Sequence, residues 1–147
     1  MLRSAHEEKN GLRDFINSHQ DTPPSLVIIL AGTNDLAYIG AAEPVVSCIS
    51  ALHKLCWDAG VAKTVAVGIP PSAYQANHLD AADLCCEVND ALRDFCKSNP
   101  RATFVPFPFG FARDGSWAPD GLHLTRDGYI SLGDQLAPSV AEALTSK

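Results

Sequence analysis

The chain predicts an α/β fold: a three-layer α/β/α sandwich around a parallel sheet. Three observations carry this. Segments with apolar residues at helical spacing alternate with short apolar runs, and Pro or Gly marks several of the boundaries between them. The run from Ser25 to Ala31 (Ser-Leu-Val-Ile-Ile-Leu-Ala) is unbroken by charge, the pattern of a strand covered on both faces. Strand–helix–strand repeats within one sheet close as right-handed crossovers, which puts helices on both sides of it.

The elements follow in order. Leu12, Phe15, Ile16 and His19 stripe an opening helix that ends before Thr22-Pro23-Pro24. The Ser25–Ala31 run is the core strand. Pro44 starts a second helix, with Val45, Val46, Ile49, Leu52 and Leu55 or Cys56 on its inner face and Gly60 as its stop. Lys63 to Ile69 forms the next strand, closed by Pro70-Pro71. A third helix carries Leu84, Val88, Leu92, Phe95 and Cys96, and Ala102 to Pro106 makes a third, shorter strand before a loop rich in Phe, Gly and Pro. Thr125 caps a last helix running through Leu132, Leu136, Val140 and Leu144. With no repeat and no dividing linker, residues 1–147 read as one domain.

Composition narrows the function classes. At 46% apolar and 19% charged residues, a chain of 147 residues can close one core. A net charge of −6 and a pI near 5.2 leave no basic stripe to neutralise phosphates, which argues against nucleic acid. No segment has the roughly 20 apolar residues of a bilayer span, and Met1 to Lys9 lacks a signal-type apolar stretch. As written the chain reads as cytoplasmic, with secretion open if residues precede Met1. The five cysteines (Cys48, Cys56, Cys85, Cys86, Cys96) form no CxxC pair, so no disulfide framework, zinc site or other cofactor is implied. They read as plain thiols, Cys85 and Cys86 being the more exposed. His6, His19, His53 and His78 have no acidic or Cys companions at ligand spacing and read as surface residues.

In doubly wound sheets, ligands bind beyond the carboxyl ends of the strands. Two polar constellations reach that rim. Gly32-Thr33-Asn34-Asp35 directly follows the core strand, and Asp120-Gly121-Leu122-His123 lies between the third strand and the last helix. Acyl transfer needs a group that takes a proton from the attacking oxygen and returns it to the leaving group, which the imidazole of His123 can do near neutral pH. Asp120, three residues earlier, can fold back on the other ring nitrogen and fix the tautomer. The Asn34 carboxamide, placed at a strand end, can donate to the developing oxyanion. Gly32 permits the turn that exposes it, and Asp35 orders the same loop. Trp117 and the aromatics from Phe104 to Phe111 can wall a pocket or anchor the loop; both roles stay open.

These two blocks resemble those of the SGNH, or GDSL-type, esterases and lipases, whose members carry GxND after a central strand and DxxH before the C-terminal helix. The flanks "ILAGTND" and "DGLHLTRDGY" agree, and the resemblance runs from about Ser25 to Ala143. It implies a flavodoxin-like strand order and hydrolysis of acyl or acetyl esters, with His123 as base, Asp120 as its partner and Asn34 in the oxyanion hole. It also implies a serine nucleophile in a GDS block after an earlier strand, and a further glycine block. Neither occurs here, so no nucleophile is identified. Ser4 follows no strand and Ser25 enters one, while Ser72 stands in a loop without the glycine and helix of a nucleophile turn. Relative to the family the chain reads as N-terminally truncated, and the strand Leu26–Leu30 becomes an exposed edge able to self-associate. Two further readings stand beside an ester hydrolase: an inactive relative that binds an ester or glycan ligand, and a protein-interaction module working through the open edge.

Overall fold

A computed structural model describes residues 11–145. Three parallel strands, β1 (Leu26–Ile29), β2 (Lys63–Val67) and β3 (Ala102–Val105), lie side by side in that order, with Leu26 opposite Lys63 and Thr64 opposite Ala102. The helices are α1 (Leu12–Ser18), α2 (Ala42–Asp58), α3 (Ala73–Asn77), α4 (Leu79–Lys97) and α5 (Arg126–Thr145), with a 3-10 turn at Asp35–Ala37. One face of the sheet meets α2 and α4, where Ile29 packs with Val45, Ile49 and Val88. The other meets α5, where Val65 and Val67 pack with Leu132 and Leu136. The predicted three-layer α/β/α sandwich is the one observed.

The centre of the sheet is β2, not the first apolar run. Thr64 to Val67 are all buried, whereas among the described residues β1 pairs with β2 alone. Alternation along β1 sends Ile28 to the α5 side, but α5 packs on β2 and β3, so Ile28 stays 46% exposed. An apolar run signals strand without telling a central strand from an edge.

Helix boundaries follow local chemistry. α2 starts two residues before Pro44, which costs nothing because first-turn N–H groups have no intrahelical acceptor. Gly60, at φ +90, takes the left-handed position that closes the helix. Thr125 caps α5 as expected, its Oγ1 accepting from Gly128 N at 3.1 Å. α3 was not foreseen: Ser72 heads it and its Oγ accepts from Gln75 N at 3.3 Å, so the stretch after Pro70-Pro71 is a helix start where the sequence reads as loop.

Two side chains sit deeper than their type suggests. His53 is 0% exposed, beside the stacked rings of Trp57 and Phe95, with Nδ1 2.8 Å from Thr64 Oγ1 and Nε2 without a partner among the described residues. Thr64 Oγ1 also accepts from Trp57 Nε1 at 3.1 Å. Burial holds the His53 imidazole well below its ordinary value, at about 4. Cys85 is buried and its thiol pushed up to about 11, leaving Cys48 and Cys86 as the exposed thiols among the described residues. His19 and His78 are exposed as expected, and His6 lies outside the described residues.

Candidate active site

Both polar blocks arrive on one crevice of about 930 Å³ at the carboxyl end of the sheet, lined among others by Gly32, Asn34, Asp35, Ser72, Trp117 and His123. The first block turns at once on leaving β1. Gly32 has φ +104, and a Cβ there would stand 2.8 Å from Ile69 Cδ1 and 3.0 Å from Ile49 Cδ1, so only glycine lets the chain pass over the core. Its carbonyl accepts from Asp35 N at 3.0 Å, and Ile39 N donates to Asp35 O at 2.8 Å. This places Asn34 at the head of the 3-10 turn, exposed on the crevice. The backbone of Asp35 thus orders the loop, while partial burial raises its carboxyl above the ordinary value.

The second block is held by its own carboxylate. Asp120 Oδ1 accepts from the backbone N–H groups of Leu122 at 2.9 Å and His123 at 3.0 Å, while Oδ2 stands 2.7 Å from His123 Nδ1. Gly121, at φ +65, supplies the positive dihedral this turn needs. The His123 bond, followed by the two backbone bonds, lowers the Asp120 carboxyl to about 2. An ionised carboxylate only accepts, so Nδ1 carries the proton and Nε2 keeps the lone pair a base requires. Asp120 and His123 side chains are 51% and 65% exposed, open to an incoming ligand.

Bonds behind the pair fix the loop. Ala118 N donates to His123 O at 2.8 Å, Trp117 and Leu124 form an antiparallel bridge, and Thr125 Oγ1 donates to Gly115 O at 2.7 Å. Trp117 is buried, donates from Nε1 to Gly110 O at 3.2 Å and meets the rings of Phe107, Phe109 and Phe111. The aromatic loop therefore does both jobs: Trp117 and Phe107 line the crevice, and the ring cluster anchors what carries His123.

Ser72, which the sequence sets aside as a loop residue without a following helix, heads α3 instead. It is buried on the crevice wall and is the only serine lining it among the described residues, though its Oγ is engaged in capping α3. Tyr74 and Tyr129 also reach the crevice, and their helical spacing gave no sign of it.

The family described as GDSL-like Lipase/Acylhydrolase matches residues 3–129. Among solved structures, the chain is similar to a GDSL-like lipase from Bacteroides thetaiotaomicron at 22% identity and TM-score 0.65, covering 90% of this chain and 71% of that one. It is similar to a carbohydrate esterase family 3 protein from Talaromyces cellulolyticus at 20% identity and TM-score 0.66, covering 90% and 65%. A structure from Streptococcus pneumonia aligns at 20% identity and TM-score 0.64 over 78% of this chain and 59% of its own. At such identities the likeness is one of fold, and the chain spans only 59% and 65% of two of these structures. No curated protein matches it.

Proposed function

Because this chain belongs to the family of GDSL-like lipases and acylhydrolases, we propose that its crevice takes small acyl or acetyl esters and activates an attacking oxygen through His123. The observation that carries this is the 2.7 Å bond between Asp120 Oδ2 and His123 Nδ1, on a crevice that Asn34 also lines. His123 Nε2 takes a proton from water as the water oxygen bonds to the ester carbonyl carbon. The charge that develops on the carbonyl oxygen meets the Asn34 carboxamide, an interaction worth about 3 kcal/mol in such sites. The intermediate collapses as His123 returns the proton to the leaving alcohol. Asp120 stays ionised and stabilises the imidazolium between the two transfers.

For these 147 residues the attacking group we propose is water, since they contain no Gly-Asp-Ser and the Ser72 Oγ serves a helix cap. Such a site keeps an acceleration on the order of 10³ over uncatalysed hydrolysis without a serine. Initial rates with p-nitrophenyl acetate test this. The expected result is slow hydrolysis above buffer, without a burst, abolished by His123→Ala. Equal rates for the chain and the variant would sink it, and binding without turnover would favour an inactive ligand-binding protein.

The sheet edge supports a separate association reading. Ile28 on β1 and Leu30 just past its end are 46% and 42% exposed, and β1 carries no charged residue, so we infer that β1 pairs with β1 of a second copy. Sedimentation that shows a concentration-dependent dimer, lost in Ile28→Lys, is the expected outcome; a monomer at all concentrations would refute it.

A further inference from the structure

The end of β2 is finished by a side chain. Beyond Gly68, whose N–H donates to Val105 O at 2.8 Å, β3 has ended and Ile69 has no strand to pair with among the described residues. Asn89 of α4 takes that place: its Oδ1 accepts from Ile69 N at 2.7 Å and its Nδ2 donates to Ile69 O at 3.2 Å. A carboxamide presents the same donor and acceptor as a peptide unit, so both polar groups of a residue only 2% exposed are satisfied. From there the chain leaves the sheet and becomes the crevice wall. Pro70 O accepts from Gln75 Nε2 at 3.3 Å, Ser72 caps α3, and Ala73 N donates to Gly121 O at 2.8 Å. Gly121 lies inside the Asp120–His123 turn, packed so closely on Ala73 that a Cβ there would collide with the alanine methyl.

We propose that Asn89 is a positioning residue for His123: by fixing where the chain departs at Ile69, it sets the Ala73–Gly121 bond and thereby the stance of the Asp120–His123 pair over the crevice. The role rests on His123 being the base, but the arrangement makes a separate structural claim. Neither leucine nor aspartate can replace Asn89, since leucine offers no polar group and aspartate sets an oxygen against the Ile69 carbonyl. A buried peptide group left unpaired turns toward water, and the loop that follows it moves as well.

The test follows the Asp120 carboxyl by carbon NMR across an acid titration, in the full chain and in Asn89→Asp, Asn89→Leu and Ala73→Pro. Ala73 occupies the first position of α3, where proline is well tolerated, so Ala73→Pro cuts the bond to Gly121 and leaves Asn89 untouched. Loss of the His123 bond raises the Asp120 titration from its value of about 2. The expected rise is about half a pH unit or more in both Asn89 variants and in Ala73→Pro, with the cooperative melt retained. An Asp120 titration that stays put in the folded Asn89 variants overturns the proposal, as does one that moves only in Ala73→Pro. If an Asn89 variant does not fold, Ala73→Pro decides: an unmoved Asp120 there removes the link. Ester hydrolysis is scored separately, so a chain that turns over nothing yet shows these shifts fails the functional reading and keeps the positioning one.

Discussion

His53 makes the stability of this domain depend on pH in a direction that can be worked out beforehand. The ring is 0% exposed and neutral, with an Nε2 that has no hydrogen-bond partner among the described residues. Its imidazole titrates at about 4 in the folded chain against 6.5 when unfolded. Between those values the unfolded chain binds the proton and the folded one does not, so stability rises with pH through that window and is lost as pH falls. The two titrations differ enough that the loss is on the order of 2 kcal/mol at about pH 4.5, while above about pH 7.5 the group contributes no slope. Other acidic groups titrate too, so the measurement is a difference. Denaturant unfolding, followed by tryptophan fluorescence, is compared for the chain and His53→Asn at both pH values. The variant loses packing against Trp57 and Phe95 and is less stable near neutral pH, and its deficit shrinks by about 2 kcal/mol or more in acid because asparagine does not titrate. A deficit that is the same at both pH values would refute the reasoning.

Three further outcomes are expected. Gly32→Ala forces a side chain to φ +104 and a methyl onto Ile69 and Ile49, lowering unfolding free energy by about 2 kcal/mol or more in denaturant titrations. Asp120→Asn keeps one oxygen for the Leu122 and His123 amides but no longer fixes the proton on Nδ1; the hydrolysis rate falls by about 100-fold or more with the melting curve nearly unchanged. A fluorophosphonate probe, which esterifies activated serines, leaves the chain unlabelled by mass spectrometry, and a label on Ser72 would identify an attacking group the proposed mechanism lacks.

How much of this the sequence discloses depends on which physical signal a residue carries. Helices and strands follow from periodicity, and Asn34, Asp120 and His123 sit on the predicted rim because strand ends in a parallel sheet share one side. The 2.7 Å Asp120–His123 bond follows from a three-residue turn that Gly121 permits. α3 escapes because five residues are too few to show a stripe, although Ser72 three residues before Gln75 is a cap signal in itself. His53 reads as a surface residue for want of acidic or Cys companions at ligand spacing, yet it sits four after Ile49 and three before Cys56, on the buried stripe of α2; spacing overrides polarity there because Thr64 satisfies one ring nitrogen. Cys85 lies likewise on the Val88–Leu92 face, one residue from exposed Cys86. The pairing of Asn89 with Ile69 joins residues 20 apart through tertiary packing, which no local pattern encodes.

In the proposed mechanism Asn34 and His123 serve one tetrahedral intermediate, Asn34 at its oxyanion and His123 in proton transfer. Titration of the chain with a small alkyl phosphonate ester anion, a mimic of that intermediate, tests it directly when followed by NMR of the Asn34 side-chain amide and the His123 ring. Both sets of signals are expected to move along one saturation curve, with affinity falling about tenfold or more in Asn34→Ala. Signals that do not move, or an affinity that Asn34→Ala leaves unchanged, would contradict it.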